Sequence, residues 1–294
     1  MLRRTALLTI SGLLIACSTP KPAAIAPVPT IAPVPRLGLA LGGGGTKGFA
    51  HIGVIKILEG QGFTIDFVGG TSAGSVVGAL YASGMNGYAL QETSFALDES
   101  KFRDFNIFGG SLIKGEKLQN YVNELVKNRP LEKLGKPFVA VATDIDSGVP
   151  VAFARGNTGE AVRASSSIPG VFQPVTISGK RYMDGGIVSP VPVDAVRAMG
   201  ANIVIAIDIS AKAQPGSAGN WPPGIVNQAI TIMGQKLGEL ELARADVVIR
   251  PSVAAMGVGD FEQKHNAILE GEKAAQAALP AIREAIRKWQ ATHS

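Results

Sequence analysis

The stretch Gly70-Thr71-Ser72-Ala73-Gly74 has the spacing that lifts a nucleophilic serine onto a tight turn. Small residues on either side let the backbone fold back closely there. An apolar run, "IDFVGG", leads into the turn, and an apolar run of small residues, "SVVGALYASG", leaves it. Ser72 would therefore stand between a strand and a buried helix. The helix N-terminus would place positive potential beside the reacting oxygen. The plain alternative is a serine that caps a helix. A serine hydroxyl is a weak nucleophile, and its usual base is histidine. The chain has three histidines, His51, His265 and His293. Ser72, Asp184 and His265 follow the chain order of an α/β-hydrolase triad. His265, however, sits in the polar stretch "FEQKHNAI", which reads as surface. His51 lies on a helix, turned toward a strand or the surface.

A second cluster, "GGGGTKG", spans Gly42 to Gly48. Its glycines free backbone N–H groups to point at an anion, which in acyl transfer is the developing oxyanion. A Walker phosphate loop would need Gly-Lys followed by Ser or Thr, and Thr46-Lys47-Gly48 has the order wrong. Gly43-x-Gly45-x-x-Gly48 matches a dinucleotide fingerprint, but its acidic residue should end the second strand. Asp66 begins that strand instead, and Ser72 stands near its end. The oxyanion reading is preferred because this loop and the serine turn end successive strands. In a parallel sheet both lie on one edge.

The third feature is "YMDGGIV", with Asp184. By itself Asp-Gly between alternating runs is a hairpin turn. Asp144, Asp146 and Asp208 are rival carboxylates near strand ends, and local chemistry does not rank the four.

Around these motifs, the elements needed to position them are legible. "RLGLAL", "IDFVGG", "KPFVAVATDI", "NIVIAIDI" and "DVVIRP" read as strands, with helices between them. Such alternation argues for a parallel or mixed sheet covered on both faces. "VFQPVTI" and "KRYMDGG" alternate like a hairpin. Gly74 and Gly78, four apart, would let one helix approach a strand closely. Residues 86–130 are more polar and read as a peripheral excursion or lid. Long helices fit residues 221–243 and 263–290.

Of 294 residues, 46% are hydrophobic and 17% charged, which suits a globular domain with a large core. The formal charge is +5; without Arg3 and Arg4 the balance is 26 basic against 23 acidic residues. No basic stripe forms, so nucleic acid is not an expected partner. "MLRRTALLTISGLLIACS" has a basic start and a short apolar run, the pattern of a secretory signal. "LIAC" resembles a bacterial lipoprotein cleavage box, which implies a signal peptide over residues 1–16 and a lipid on Cys17. Cys17 is the only cysteine, so no disulfide forms within the chain. Ser18 in place of aspartate suggests the outer membrane facing the periplasm. Residues 17–35, rich in Pro and Ala, read as a lipidated tether, and the domain would occupy residues 36–290.

Together the three motifs resemble the patatin-like phospholipase family. The order is the family's: glycine loop, GxSxG, then Asp-Gly-Gly. "ATDIDSG" (142–148) and "ASSSIPGVFQPV" (164–175) look like its bacterial members. The resemblance implies a three-layer α/β/α fold with a mainly parallel central sheet and a nucleophile elbow. It implies a lipid acyl hydrolase with a Ser72–Asp184 dyad and no histidine. Gly43, Gly44, Gly45 and Thr46 would form the oxyanion hole. Gly48, Gly70, Gly74, Gly185 and Gly186 support the motifs, and Lys47 fills the family's basic position. Ser165 to Ser167 would shape the acyl pocket or simply end a helix. No cofactor or metal is expected. The expected partner is a membrane lipid or other ester. A non-catalytic lipid-binding envelope lipoprotein is the alternative from another class.

Overall fold

The computed structural model describes residues 33–97, 113–213 and 222–293. Cys17, the expected signal segment and nearly all of the expected tether lie outside the described residues, as does the middle of the expected lid.

Five strands of the sheet run parallel: β1 (Leu37–Leu41), β2 (Phe67–Thr71), β3 (Phe138–Asp144), β7 (Ile203–Ile207) and β8 (Val247–Ile249). Their order is β3-β2-β1-β7-β8. Beyond β3, three strands join antiparallel: β4 (Pro150–Phe153), β5 (Val175–Ile177) and β6 (Lys180–Asp184). The parallel strands are buried throughout or nearly so, because helices cover both faces.

The period of two sorts side chains between those faces. Leu37, Leu39, Leu41, Ile203, Ile205 and Ile207 meet α1 (Phe49–Gly60), α2 (Ala73–Ala82) and α8 (Lys264–His293). Ala40, Val204 and Ala206 meet α6 (Val193–Ala198) and the last turn of α7 (Pro222–Leu242). The smaller residues on that side let α6 approach closely. The remaining helices are α3 (Gly87–Phe95), α4 (Glu116–Leu125) and α5 (Thr158–Ser165). α8 runs three residues past the expected domain limit at 290.

The fold is thus the expected α/β/α sandwich. The hairpin turn of β5 and β6 falls at Ser178-Gly179, not at Asp184. Asp184 ends β6 and starts a 3₁₀ turn over Gly185–Ile187. The turn reading of Asp-Gly is therefore corrected: the antiparallel pairing of β6 to β3 carries Asp184 to the sheet's carboxyl edge, opposite Ala142.

Candidate active site

Ser72 links β2 to α2 with φ 52° and ψ −123°. A positive φ is costly for a residue with a Cβ, and such strain is held only where packing dictates it. Here Gly74 supplies the packing, since a Cβ on it would lie 2.1 Å from the carbonyl oxygen of Leu41. Helix α2 therefore starts directly against the end of β1. Gly70 and Gly185 are equally tight against backbone, at 2.3 Å from Gly74 O and 2.1 Å from Val141 O.

The Ser72 hydroxyl donates to Asp184 Oδ2 at 2.7 Å. The other oxygen, Oδ1, accepts from the N–H of Gly186 at 2.7 Å. Asp184 is held at its backbone too: Thr143 Oγ1 donates to its carbonyl, and its N–H donates to Ser167 O. Both residues are buried. Burial pushes the Asp184 carboxyl up to about 6, against the opposing hydrogen bonds from Ser72 and Gly186. Among the described residues, no other carboxylate bonds Ser72. Asp144 accepts from the N–H groups of Asp146 and Ser147 and closes a turn. Asp146 pairs with Arg181, and Asp208 with Lys212. Asp66 accepts from the N–H of Leu37, tying β2 to β1.

Ser165 stands behind Ser72. Its Oγ accepts from the N–H of Ser72 at 2.9 Å and donates to Val141 O at 2.6 Å. Ser166 lines the cleft, and Ser167 Oγ donates back to Arg163 O. The three serines thus have separate jobs.

The glycine loop lies beside Ser72, close enough that a Cβ on Gly43 would be 3.2 Å from Ser72 Cβ. Two of its four expected oxyanion donors are already used. Gly43 N–H donates to Pro190 O at 3.0 Å, and Thr46 N–H to Val258 O at 2.9 Å. These bonds hold the loop's shape; among the described residues the N–H groups of Gly44 and Gly45 make no such bond. Gly45 has φ +60° and would meet Val258 O at 2.3 Å with a Cβ. Gly48 packs on Ala73. Lys47 is not a solvated charge: it is buried, with Nζ 3.5 Å from Ala254 O. Burial, helped by the nearby Lys212, holds its ammonium below the usual lysine range.

His51 is fully buried beneath this loop and facing neither solvent nor the dyad. Its Nε2 lies 2.8 Å from Gly42 O. A carbonyl only accepts, so Nε2 carries the proton and Nδ1 is bare. Burial lowers the ring to about 4, and it stays neutral at physiological pH. His265 is exposed and stacks on Phe95 with ring centroids 4.2 Å apart. Neither histidine bonds Ser72 or Asp184.

A buried carboxylate that sequence reasoning missed organises the site from behind. Glu241, on the last turn of α7, accepts from Ser189 Oγ and, at 2.8 Å, from the N–H of Val191. The segment it holds contacts both motifs: Thr71 Oγ1 donates to Ser189 O, and Pro190 O accepts from Gly43. Burial pushes Glu241 up to about 7. Its one sequence signal is a charge set between Leu240 and Leu242.

Ser72 opens into a cleft of about 960 Å³. Phe49, Ile52, Val76, Val77, Leu80 and Leu90 give it apolar walls. Among the described residues, no group of three or more His, Cys, Asp or Glu gathers as a metal site.

A serine on a strained turn, a carboxylate bonded to it and an amide-rich loop beside both define an α/β protein with a hydrolase-like site. A profile of the patatin-like phospholipases matches residues 39–197, more than half of the sequence. The chain belongs to the patatin-like phospholipase family. It is similar to an uncharacterized NTE family protein of Mycobacterium tuberculosis, 35% identical over 196 residues, which cover 64% of this chain and 54% of the relative. A second such protein from that organism is 31% identical over 277 residues, 85% of this chain and 48% of the relative. The chain thus spans about half the length of these curated relatives. Patatin-like phospholipase domain-containing protein 6 of Mus musculus is 34% identical over 184 residues, 60% of this chain and 14% of that protein. VipD from Legionella pneumophila shares the fold, with a TM-score of 0.60 at 14% identity, covering 85% of this chain and 67% of VipD.

Proposed function

We propose that the chain is a serine hydrolase of lipid carboxylic esters. The observation that carries this reading is the 2.7 Å hydrogen bond from Ser72 Oγ to the buried Asp184 carboxylate, at an apolar cleft. Ser72 attacks the ester carbonyl while Asp184 takes its proton. A carboxylate raised to about 6 is a better base than one in water and is still largely ionised at neutral pH. The oxyanion forms against the N–H groups of Gly44 and Gly45. Asp184 then protonates the leaving alcohol and later activates the water that frees the acid. An alcohol leaves more easily than an amine, so a dyad without imidazole suits esters over amides. The cleft walls favour a long apolar acyl chain.

A fluorophosphonate probe tests this directly. It should label wild type at Ser72, label Ser72→Ala not at all, and label Asp184→Asn far more slowly. An unlabelled wild type that still binds lipid would favour the non-catalytic lipoprotein.

The envelope address is part of the same proposal and rests on sequence. Cleavage before Cys17 and its lipidation would tether the enzyme to the bacterial outer membrane, facing the periplasm, through residues 17–35. Radiolabelled palmitate should enter the wild-type chain and not Cys17→Ser.

A further inference from the structure

Helix α7 connects two parallel strands, so it must return from the carboxyl edge of the sheet to the amino edge. Only its end does so in contact with the core. Glu241 is bonded to Ser189 and Val191, and Leu242 packs with Val191, Val204 and Ala206. The helix has 21 residues, a length of about 31 Å at 1.5 Å per residue. The five-residue strand β7 spans only about 17 Å. The outer half of α7 therefore stands beyond the carboxyl edge, the edge that carries Ser72 and the glycine loop.

That outer half is apolar and uncovered. Between residues 224 and 237 no described side chain is buried. Ile225 is 53% exposed, Val226 58%, Ile230 49%, Met233 60% and, nearer the core, Leu240 63%. At 100° per residue these five fall within an arc of roughly 140°. No charged residue occurs from Pro222 to Gln235. The polar side is turned inward, where Gln235 Oε1 accepts from the N–H of Ala213.

We propose that the outer half of α7 is a docking helix for a lipid surface. It lies in the interface of a lipid aggregate and brings the cleft mouth to it. This rests on reading the chain as a lipid ester hydrolase. The absence of charge fits hydrocarbon, whereas a protein partner is matched by a polar and charged rim. Five half-exposed side chains offer on the order of 500 Å², short of the roughly 800 Å² per partner that a stable protein pair buries. The helix is not long and apolar enough to cross a bilayer, so it lies on the surface.

The test uses the full chain with Cys17→Ser, which removes the acyl anchor site, and Ser72→Ala, which stops turnover. Binding to phosphatidylcholine vesicles is read by flotation. I230E/M233E should weaken it at least about tenfold, and I230L/M233L should leave it near wild type. With Ser72 restored, the same glutamate pair should lower the ratio of vesicle to soluble-ester turnover by a similar factor. Unchanged vesicle binding by I230E/M233E would overturn the proposal. So would a shift from dimer to monomer in the glutamate variant without a change in vesicle binding, which would assign the face to a second copy. Vesicle binding that follows α7 in a chain without ester turnover would sink the catalytic reading alone.

Discussion

At the scale of the residue, the proposed dyad sets Asp184 in the place of histidine, and its burial is what suits it to that role. Its carboxyl, raised to about 6, accepts a proton only when ionised. Below that value it is protonated and cannot serve as base, so kcat/KM should rise tenfold per pH unit toward about 6 and then level. A pH–rate profile on a soluble ester checks this; a plateau that continues unchanged to pH 4 would contradict it. His265→Ala should keep turnover within about twofold, because the ring is exposed and bonds neither Ser72 nor Asp184. A thousandfold loss there, with folding intact, would revive the triad. The choice of Asp184 was not legible in local sequence. Asp144, Asp146 and Asp208 also end or follow strands, and only the long-range pairing of β6 with β3 separates them. The burial of Lys47 and the choice between strand and surface for His51 were not legible for a related reason: they depend on distant partners, Ala254 O for Lys47, and on packing that the sequence does not display.

At the scale of the element, three strand-to-helix or strand-to-turn junctions must agree within tenths of an ångström. The segment from Ser189 to Val191 touches the serine turn through Thr71 and the glycine loop through Gly43, and Glu241 fixes it. Glu241→Ala leaves the Val191 N–H buried without an acceptor, which costs about 1–3 kcal/mol. Its Tm should fall together with kcat, and Glu241→Gln, which keeps an acceptor, should recover most of both. A thermal melt beside a kcat measurement reads the two. Gly74→Ala should be harsher, since its methyl would sit 2.1 Å from Leu41 O, and a normally expressed, active variant would refute the close approach of α2 to β1. The elements themselves were legible because apolar runs and glycine junctions repeat with the right periods. The Glu241 contact was not, because nothing local ties a helix end near residue 241 to a loop some 50 residues earlier.

At the scale of the molecule, the parallel sheet gathers everything chemical on one edge. Ser72 follows β2, the glycine loop follows β1, and Asp184 reaches the same edge from β6 by antiparallel pairing. Helix α7 stands out from that edge with its apolar stripe. Its length and lack of charge were visible in sequence; its exposure was not, because an apolar helix reads equally as core. The central claim is that Ser72 and Asp184 hydrolyse lipid esters as a pair, and its most direct measurement is fatty acid released from phospholipid vesicles. Wild type should release acid, and Ser72→Ala and Asp184→Asn should each fall at least about a thousandfold while Asp208→Asn does not. Undiminished release by Ser72→Ala, or by Asp184→Asn, would contradict the account.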